Sequence, residues 1–197
     1  MGALLQKETS AIRDAGDRRA RLRALIKTRS LATGDFTLSS GKKSNLYFNM
    51  KPTMMTAEGA NLAAREFLDR AIALDAAYVG GLEMGAVPLI AAVAALSHDA
   101  GRPINTFFVR KKPKEHGTRL TVEGLAPDQS LSGQRVVIAD DVTTSGRSMM
   151  KAVAAARQAG AIVEHAISIV DREEGATELL AENGVELSSI FGAGDFL

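Results

Sequence analysis

The sequence predicts a single α/β domain, built on a doubly wound, mainly parallel sheet and topped by a small N-terminal hood. Short apolar strand patterns alternate with helical patterns along most of the chain, which is the arrangement of consecutive β-α-β units. Residues 136–139 form an unbroken apolar run, as in a strand buried on both faces. Ligands of such sheets bind outside the carboxyl ends of the strands, so we expect the functional residues there.

The chain is long enough for one hydrophobic core but too short for a second full domain. Its 197 residues, 46% of them hydrophobic, suit one domain that spans residues 1–197. We expect the hood to comprise mainly residues 30–55 together with the C-terminal segment. The core should then span about residues 56–192.

The composition argues against several functional classes. The net charge is +1 and only 5% of the residues are aromatic, so neither a basic field nor an aromatic platform for nucleic acid is expected. Cysteine is absent, which excludes disulfides and is compatible with a reducing compartment. The longest apolar run, residues 86–96, is far shorter than the ~20 residues of a membrane span, and the N-terminus lacks a signal-peptide core. We therefore expect a soluble, cytoplasmic protein without nucleic-acid or membrane partners.

The N-terminal region predicts a surface helix followed by a hairpin. Residues 13–29 are rich in charge and carry one apolar stripe at helical spacing. Thr33 and Gly34 should end that helix, and residues 35–38 and 45–49 read as two strands joined by a glycine-containing turn. Tyr47 and Phe48 are neighbours on the second strand, so alternation leaves one of them partly exposed on a purely structural interpretation.

The first half of the core follows a helix, strand, helix, strand order. Thr56 is a suitable N-cap for the next helix, and residues 77–80 predict a short strand. The glycine-containing turn 81–88 leads into a helix over residues 89–100, and residues 104–109 predict the next strand. The turn either allows a close approach of the backbone to a ligand or is an ordinary strand-to-helix turn.

The segment 110–119 predicts a surface loop, because it holds five cations, one carboxylate, one histidine and two helix breakers. Taken alone, it favours a solvated run of charge. The second half of the core then continues the alternation. It comprises a helix that opens at Arg147, a strand over 162–170, a helix over 176–182 and a last strand over 185–191.

The turn between residues 139 and 147 carries the chemistry. Asp140 and Asp141 end the buried strand, and small hydroxyl-bearing residues precede a helix N-terminus. Free amides and hydroxyls there can hold a phosphate monoester, and the carboxylates can accept hydrogen bonds from a vicinal diol. Ribose 5-phosphate presents both groups. Neither a Walker loop nor a dinucleotide fingerprint is present, and the alternative is an acidic loop that holds Mg²⁺ or no ligand.

Residues 137–146, Val-Ile-Ala-Asp-Asp-Val-Thr-Thr-Ser-Gly, resemble the phosphoribosyl pyrophosphate (PRPP) motif of type I phosphoribosyltransferases. The resemblance implies that family's fold, and it implies that Asp140 and Asp141 hold the ribose and stabilise positive charge on it. It implies Mg²⁺ as a cofactor, bound largely through PRPP oxygens and water, with no dedicated protein ligand. It also assigns PRPP binding to Val142, and it assigns the 5′-phosphate to Thr143, Thr144, Ser145, Gly146, Arg147 and Ser148.

Residues 36–49 are similar to the hood of orotate phosphoribosyltransferases, in which an aromatic pair lies against the pyrimidine. This similarity implies that Tyr47, Phe48, Thr144 and Arg172 bind orotate, with Arg172 pairing with the orotate carboxylate. The alternative for Arg172 is a salt bridge at the sheet rim, with Asp171, Glu173 or Glu174 as its partner. Many bacterial relatives carry lysine where this chain has Ser39.

The segment 110–119 looks like the catalytic loop of the same family. This likeness assigns PRPP binding to Arg110, Lys111, Lys114 and His116, and catalysis to Lys114 and His116 beside the two aspartates. The loop would act as a lid that stabilises charge and excludes water. In the family it closes over the neighbouring subunit, which implies a homodimer with shared active sites.

The turn 81–88 resembles the family loop that cradles pyrophosphate, often with a cis peptide at the step corresponding to Glu83-Met84. Many relatives carry lysine at the position of Gly85. Taken together, the resemblances imply transfer of phosphoribose from PRPP to orotate, which gives orotidine 5′-monophosphate and pyrophosphate in pyrimidine (UMP) biosynthesis. The alternatives are a type I enzyme for another base and a PRPP-sensing regulator of the same fold.

Overall fold

The computed structural model describes residues 15–37, 43–111 and 121–197. Lys114, His116 and Ser39 lie outside these ranges. The elements in chain order are α1 Ala15–Arg29, β1 Leu31–Thr37, β2 Lys43–Phe48, α2 Lys51–Met54, α3 Ala57–Ala73, β3 Tyr78–Leu82, α4 Ala86–Asp99, β4 Asn105–Val109, β5 Val122–Glu123, β6 Arg135–Thr143, α5 Arg147–Gln158, β7 Ile162–Asp171, α6 Ala176–Glu182, β8 Glu186–Gly192 and a terminal 3₁₀ helix Ala193–Phe196.

In the described part of the chain, six strands form the central sheet in the order β5-β4-β3-β6-β7-β8. All neighbouring pairs are parallel except β4 with β5. Alternate residues of β6 enter different cores: Val137 and Ala139 pack with the helices α1, α3 and α4, whereas Val136 and Ile138 pack with α5 and α6. Apolar side chains on both faces explain why this strand has no polar alternation. The predicted doubly wound, mainly parallel fold is confirmed.

Within the region predicted as the hood, β1 and β2 form an antiparallel hairpin. Leu31 pairs with Phe48 and Ala32 with Tyr47, and an irregularity follows Thr33. The prediction that Thr33 and Gly34 end α1 is wrong: the helix ends at Arg29, and this dipeptide lies inside β1. The hairpin accommodates the glycine as a local bulge because pairing continues on both sides of it.

Aromatic rings connect the end of the chain to the hood. Phe196 packs edge-to-face against Phe48, with ring centroids 5.3 Å apart, and against Phe191 of β8, at 5.5 Å. Edge-to-face contacts of this kind stabilise a fold beyond the area that they bury. The terminal 3₁₀ helix therefore joins the hairpin to the edge of the sheet.

Two local predictions of element boundaries have different outcomes. Thr56 caps α3 as predicted, since its hydroxyl accepts a hydrogen bond from the Gly59 amide at 3.2 Å. The strand predicted from the apolar run 136–139 is longer in the structure, because β6 runs past Asp140 and Asp141 to Thr143 through pairing with β7. Asp140 and Asp141 therefore project from a strand and not from a loop.

Within the described ranges, no helix combines the length and the apolar character that crossing a membrane requires.

Candidate active site

Asp140 and Asp141 lie near the end of β6, at the carboxyl edge of the sheet. Asp140 pairs with Ser168 of β7 and is 9% exposed, whereas Asp141 is half-buried. Asp140 Oδ1 accepts the Asp141 amide at 3.0 Å, and Asp141 Oδ1 accepts the Val142 amide at 2.9 Å. Each carboxylate is thus oriented by the backbone that follows it, and neither depends on a ligand for its position.

The surroundings of Asp140 disfavour the ionised form of its carboxyl group. Burial, and next the neighbouring Asp141 carboxylate, raise the pKa of Asp140 well above its ordinary value, while the Lys111 ammonium acts in the opposite direction. A buried carboxylate next to a like charge is a common property of functional sites. This pair is therefore suited to partners that bring positive charge or hydroxyl donors.

The turn after β6 encloses a cavity of about 260 Å³ at the N-terminus of α5. Gly146 starts the helix with a left-handed φ of 73°, and a Cβ there would lie 2.7 Å from Leu180 Cδ1. Helix amides that lack intrahelical partners open into this space and attract anions. The lining consists of Asp140, Val142, Thr143, Thr144, Ser145, Gly146, Arg147 and Ser148.

Thr143 differs from the other hydroxyl-bearing residues of the turn. Its side chain is buried and its hydroxyl donates to Met149 Sδ at 3.5 Å. Its carbonyl accepts the Arg172 amide at 2.9 Å. Thr143 therefore anchors the turn to the core and to the end of β7. Thr143, Thr144 and Ser145 all line the cavity, and the last two are only half-buried.

A second cavity, of about 240 Å³, lies between the hood and the sheet edge. Tyr47 is 46% exposed and Phe48 only 6% exposed, the division that strand alternation predicts. Tyr47 packs against Phe36, with ring centroids 5.4 Å apart. The lining consists of Tyr47, Phe48, Asn49, Met50, Lys51, Leu82, Glu83, Gly85, Lys111, Asp140, Asp141, Val142 and Ser148. Because Asp140, Val142 and Ser148 line both cavities, the two spaces adjoin.

The turn after β3 approaches the aspartates closely. The Glu83-Met84 peptide is cis, as the family resemblance implies. A Cβ on Gly85 would lie 2.4 Å from Asp141 Oδ1 and 3.4 Å from Asp140 Oδ1. The missing side chain at Gly85 therefore leaves the space that the Asp141 carboxylate occupies.

The described start of the cationic segment reaches the same cavity. Lys111 lines it, and the Lys111 amide donates to Glu83 Oε1 at 2.8 Å. Arg110 lies one residue earlier, where its amide donates to the Thr121 carbonyl and its guanidinium pairs with Glu123 at 3.5 Å. The roles predicted for Lys114 and His116 stay predictions.

Arg172 is buried behind the turn and pairs with Glu174 at 2.9 Å. This is one of the salt bridges that the sequence left open as an alternative. Among the described residues, Arg172 and Arg110 line neither cavity. The orotate contact of Arg172 therefore stays a prediction.

Sequence reasoning missed Glu83. The family resemblance places Glu83 at a cis peptide but gives its side chain no role, and the contact of that side chain depends on the pairing of β3 with β4, which brings Leu82 opposite Val109. Among the residues that the structure describes, no cluster of three or more His, Cys, Asp or Glu could hold a metal ion.

Comparisons with known proteins agree with this geometry. The family model of the phosphoribosyl transferase domain matches residues 54–188. The chain is 54% identical over 179 residues to an orotate phosphoribosyltransferase of Rhodopseudomonas palustris strain TIE-1, a match that covers 91% of this chain and 96% of the relative.

Two solved structures of the orotate phosphoribosyltransferase of Mycobacterium tuberculosis H37Rv have the same fold. The complex with Fe(III) dicitrate is 34% identical with a TM-score of 0.77, and the complex with PRPP is 31% identical with a TM-score of 0.74. Each match covers 91% of this chain and 98% of the other.

Proposed function

This chain belongs to the orotate phosphoribosyltransferases, within the type I phosphoribosyltransferase family, and we propose how its residues carry out that reaction. The enzyme transfers the phosphoribosyl group of PRPP to orotate in pyrimidine biosynthesis, and releases pyrophosphate. One observation carries the assignment of roles. Asp140 lines both the cavity at the α5 N-terminus and the cavity under the hood, so a ligand that spans the two would pass the carboxylates.

PRPP is proposed to bind with its 5′-phosphate in the turn after β6. The α5 amides and the hydroxyls of Thr144, Ser145 and Ser148 offer donors there. The ribose hydroxyls would then donate to Asp140 and Asp141, whose carboxylates are already oriented by backbone amides. Ring atoms that develop positive charge in the transition state would lie beside two carboxylates, which stabilises that charge.

The pyrophosphate is proposed to lie toward the turn after β3, where Gly85 and Lys111 line the second cavity. The carboxylates of Asp140 and Asp141 fit Mg²⁺. Each uses Oδ1 to accept a backbone amide, and the ion needs only one or two carboxylates because it commonly takes its other ligands from water and phosphate. When bound, it would neutralise negative charge on the leaving group. Lys114 and His116 are proposed to add to that neutralisation from the catalytic loop.

Orotate is proposed to lie under the hood, against Tyr47 and Phe48, with further contacts from Thr144 and Arg172. The exposed ring of Tyr47 offers a flat apolar surface at the cavity. A nitrogen of the pyrimidine is the nucleophile, so the chain need not form a covalent intermediate. Water exclusion by the hood and the loop would protect the activated sugar from hydrolysis.

The experiment that tests the substrate is a steady-state assay with PRPP and each of orotate, uracil, adenine, guanine and hypoxanthine. Orotate alone should be turned over efficiently, because it alone carries the carboxylate that Arg172 would bind. Equal turnover of uracil and orotate would contradict the proposed carboxylate contact. Efficient turnover of a purine would contradict the proposed substrate.

A pair of variants separates the two interpretations of Arg172. Arg172→Ala should raise the KM for orotate far more than the KM for PRPP, because a charge-assisted contact contributes about 1.5–3 kcal/mol. Glu174→Ala is the matched control, since it removes the Arg172 ion pair and leaves the guanidinium in place. If both variants weaken both substrates equally, Arg172 serves only the structure.

A homodimer with shared active sites is proposed as the functional assembly. Lys114→Ala would damage the catalytic loop, and Asp141→Asn would damage the pocket. If each loop serves the partner's pocket, a randomly exchanged mixture of the two inactive variants should regain roughly a quarter of wild-type activity, because half the dimers hold one intact site. No recovery after confirmed subunit exchange would contradict sharing.

The cytoplasm is proposed as the location of the enzyme. A chain without cysteine is compatible with a reducing compartment. Fractionation of cells that produce the protein, followed by assay of each fraction, tests this location.

A further inference from the structure

Glu83 is an acidic residue in a cavity that is proposed to receive a polyanion. Its side chain is half-buried and lines the same wall as Asp140 and Asp141. Carboxylate and pyrophosphate repel each other, and the repulsion is strongest where water is displaced. The ribose hydroxyls give the two aspartates a use, but the proposed mechanism gives Glu83 none.

The contacts of Glu83 connect the ends of two strands. The Glu83 amide donates to the Val109 carbonyl at 2.9 Å, one residue beyond the last register pair of β3 with β4. The Glu83 Oε1 atom accepts the Lys111 amide at 2.8 Å. These two hydrogen bonds bracket the backbone from Val109 to Lys111 just after β4 ends.

The bracketed backbone carries a lysine that faces the carboxylates. Lys111 lines the cavity with Glu83, Gly85, Asp140 and Asp141, and its charge lowers the pKa of Asp140. A lysine side chain has many rotamers, so its reach depends on where its own backbone is held. The hydrogen bond to the Lys111 amide controls that backbone.

We propose that Glu83 is a positioning residue for PRPP: by accepting the Lys111 amide, its carboxylate holds the Lys111 ammonium at the pyrophosphate end of the cavity. This inference rests on the proposed binding of PRPP in the cavity that Asp140 and Asp141 line. It also predicts the direction in which PRPP affinity changes when the carboxylate is removed. Removal of a carboxylate that only repels would strengthen PRPP binding, whereas removal of a positioning acceptor would weaken it.

Three variants at position 83 provide the main test, with KM measured for each substrate separately. Glu83→Ala and Glu83→Met both lack the acceptor, and they should raise the KM for PRPP about tenfold with little change in that for orotate. Glu83→Gln keeps an acceptor oxygen and should recover most of that loss. Glu58→Ala is the control, because it removes a distant carboxylate that pairs with Arg21, and it should change neither KM. Two acceptor-free variants are used so that a folding defect in one does not decide the result.

A double-variant cycle shows whether Glu83 acts through Lys111. Lys111→Ala should raise the KM for PRPP, and Glu83→Ala should add little to it, since the side chain that Glu83 positions is already gone. A lower KM for PRPP in Glu83→Ala would overturn the inference, as would equal effects with and without Lys111. A neutral Lys111→Ala would also overturn it, while activity of the wild type with orotate and PRPP would leave the proposed reaction intact.

Discussion

Two turns meet at the carboxyl edge of the sheet, and the glycine in each turn has a different structural reason. In the turn after β6, Gly146 has a φ of 73°, and a Cβ there would contact Leu180 in the core. In the turn after β3, Gly85 has ordinary helical torsions, with φ −56° and ψ −49°. A Cβ there would meet the carboxylate of Asp141. Backbone conformation and packing account for the first glycine, whereas the second leaves room in this chain for the Asp141 carboxylate.

Two glycines at the same edge of the sheet therefore protect different features, the packed core in one turn and the position of a carboxylate in the other. Substitution at Gly146 must displace a buried leucine or distort the backbone, and both changes destabilise the folded protein. Substitution at Gly85 must displace only the end of a side chain that the proposed chemistry uses. Stability and activity measured on matched variants therefore separate the two turns.

The largest effect is expected for Asp141→Asn. The asparagine oxygen can still accept the Val142 amide, so the turn should keep its shape while the charge is lost. Removal of one electrostatic group from a transition state typically lowers kcat by roughly 10²–10³. Assay of kcat beside thermal unfolding checks this, and the exposed Asp128→Asn is the control. A large loss of stability in Asp141→Asn would contradict the claim that the Asp141 carboxylate serves the reaction and not the stability of the fold.

Gly146→Ala should destabilise the protein by about 1–3 kcal/mol through backbone strain, with a further contribution from the contact with Leu180. Urea unfolding measures the change in the free energy of unfolding. Gly184→Ala is a matched control, because Gly184 also has a positive φ, of 66°, but among the described residues no atom lies within 4 Å of a Cβ placed there. Equal destabilisation of the two variants would show that strain alone explains the requirement.

Gly85→Ala should reduce kcat/KM about tenfold, which corresponds to about 1.4 kcal/mol, and should leave the melting temperature nearly unchanged. Its methyl group would push the Asp141 carboxylate out of place without disturbing the core. Gly194→Ala serves as the control, since a Cβ there has open space. The comparison of the turns fails if Gly85→Ala loses more stability than activity.

Asp140→Asn should stabilise the protein modestly, by about 0.5–2 kcal/mol. Burial and Asp141 raise the pKa of Asp140 in the folded state, so its ionisation opposes folding. The contribution of protonated Asp140 to the free energy of unfolding is fully present below the ordinary aspartate pKa of about 3.9. It is lost as pH rises through the raised pKa of the folded state. The gain of the variant should therefore grow with pH from about 4 upward. A gain that is the same at every pH would rule out ionisation as its cause.

The parts of the site that consecutive residues build could be predicted from the sequence. The segment from Asp140 to Ser148 is one such part, because its carboxylates, its hydroxyls, its glycine and the helix start are all close in sequence. The alternation of Tyr47 and Phe48 is also local, and the structure confirms that one ring is exposed and the other buried.

The parts that distant pairing creates could not be predicted. The extension of β6 to Thr143 depends on β7, and the Glu83 contact depends on β4. The two-residue strand β5 forms only by pairing with the end of β4, and its own sequence is too short to show a period. The choice of Glu174 among three possible partners of Arg172 required the geometry of the turn after β7.

The pairing of β3 with β6 completes the site. These strands are neighbours in the sheet although β4 and β5 lie between them in the chain. The turn after β3 belongs to the first half of the sheet and the two aspartates to the second, so neither half contains the site by itself. A ligand that spans both turns would bind only the completed sheet and would stabilise it by mass action. Bound substrate should thus slow hydrogen exchange of the amides that join β3 to β6, at the seam of the molecule and not only in its loops.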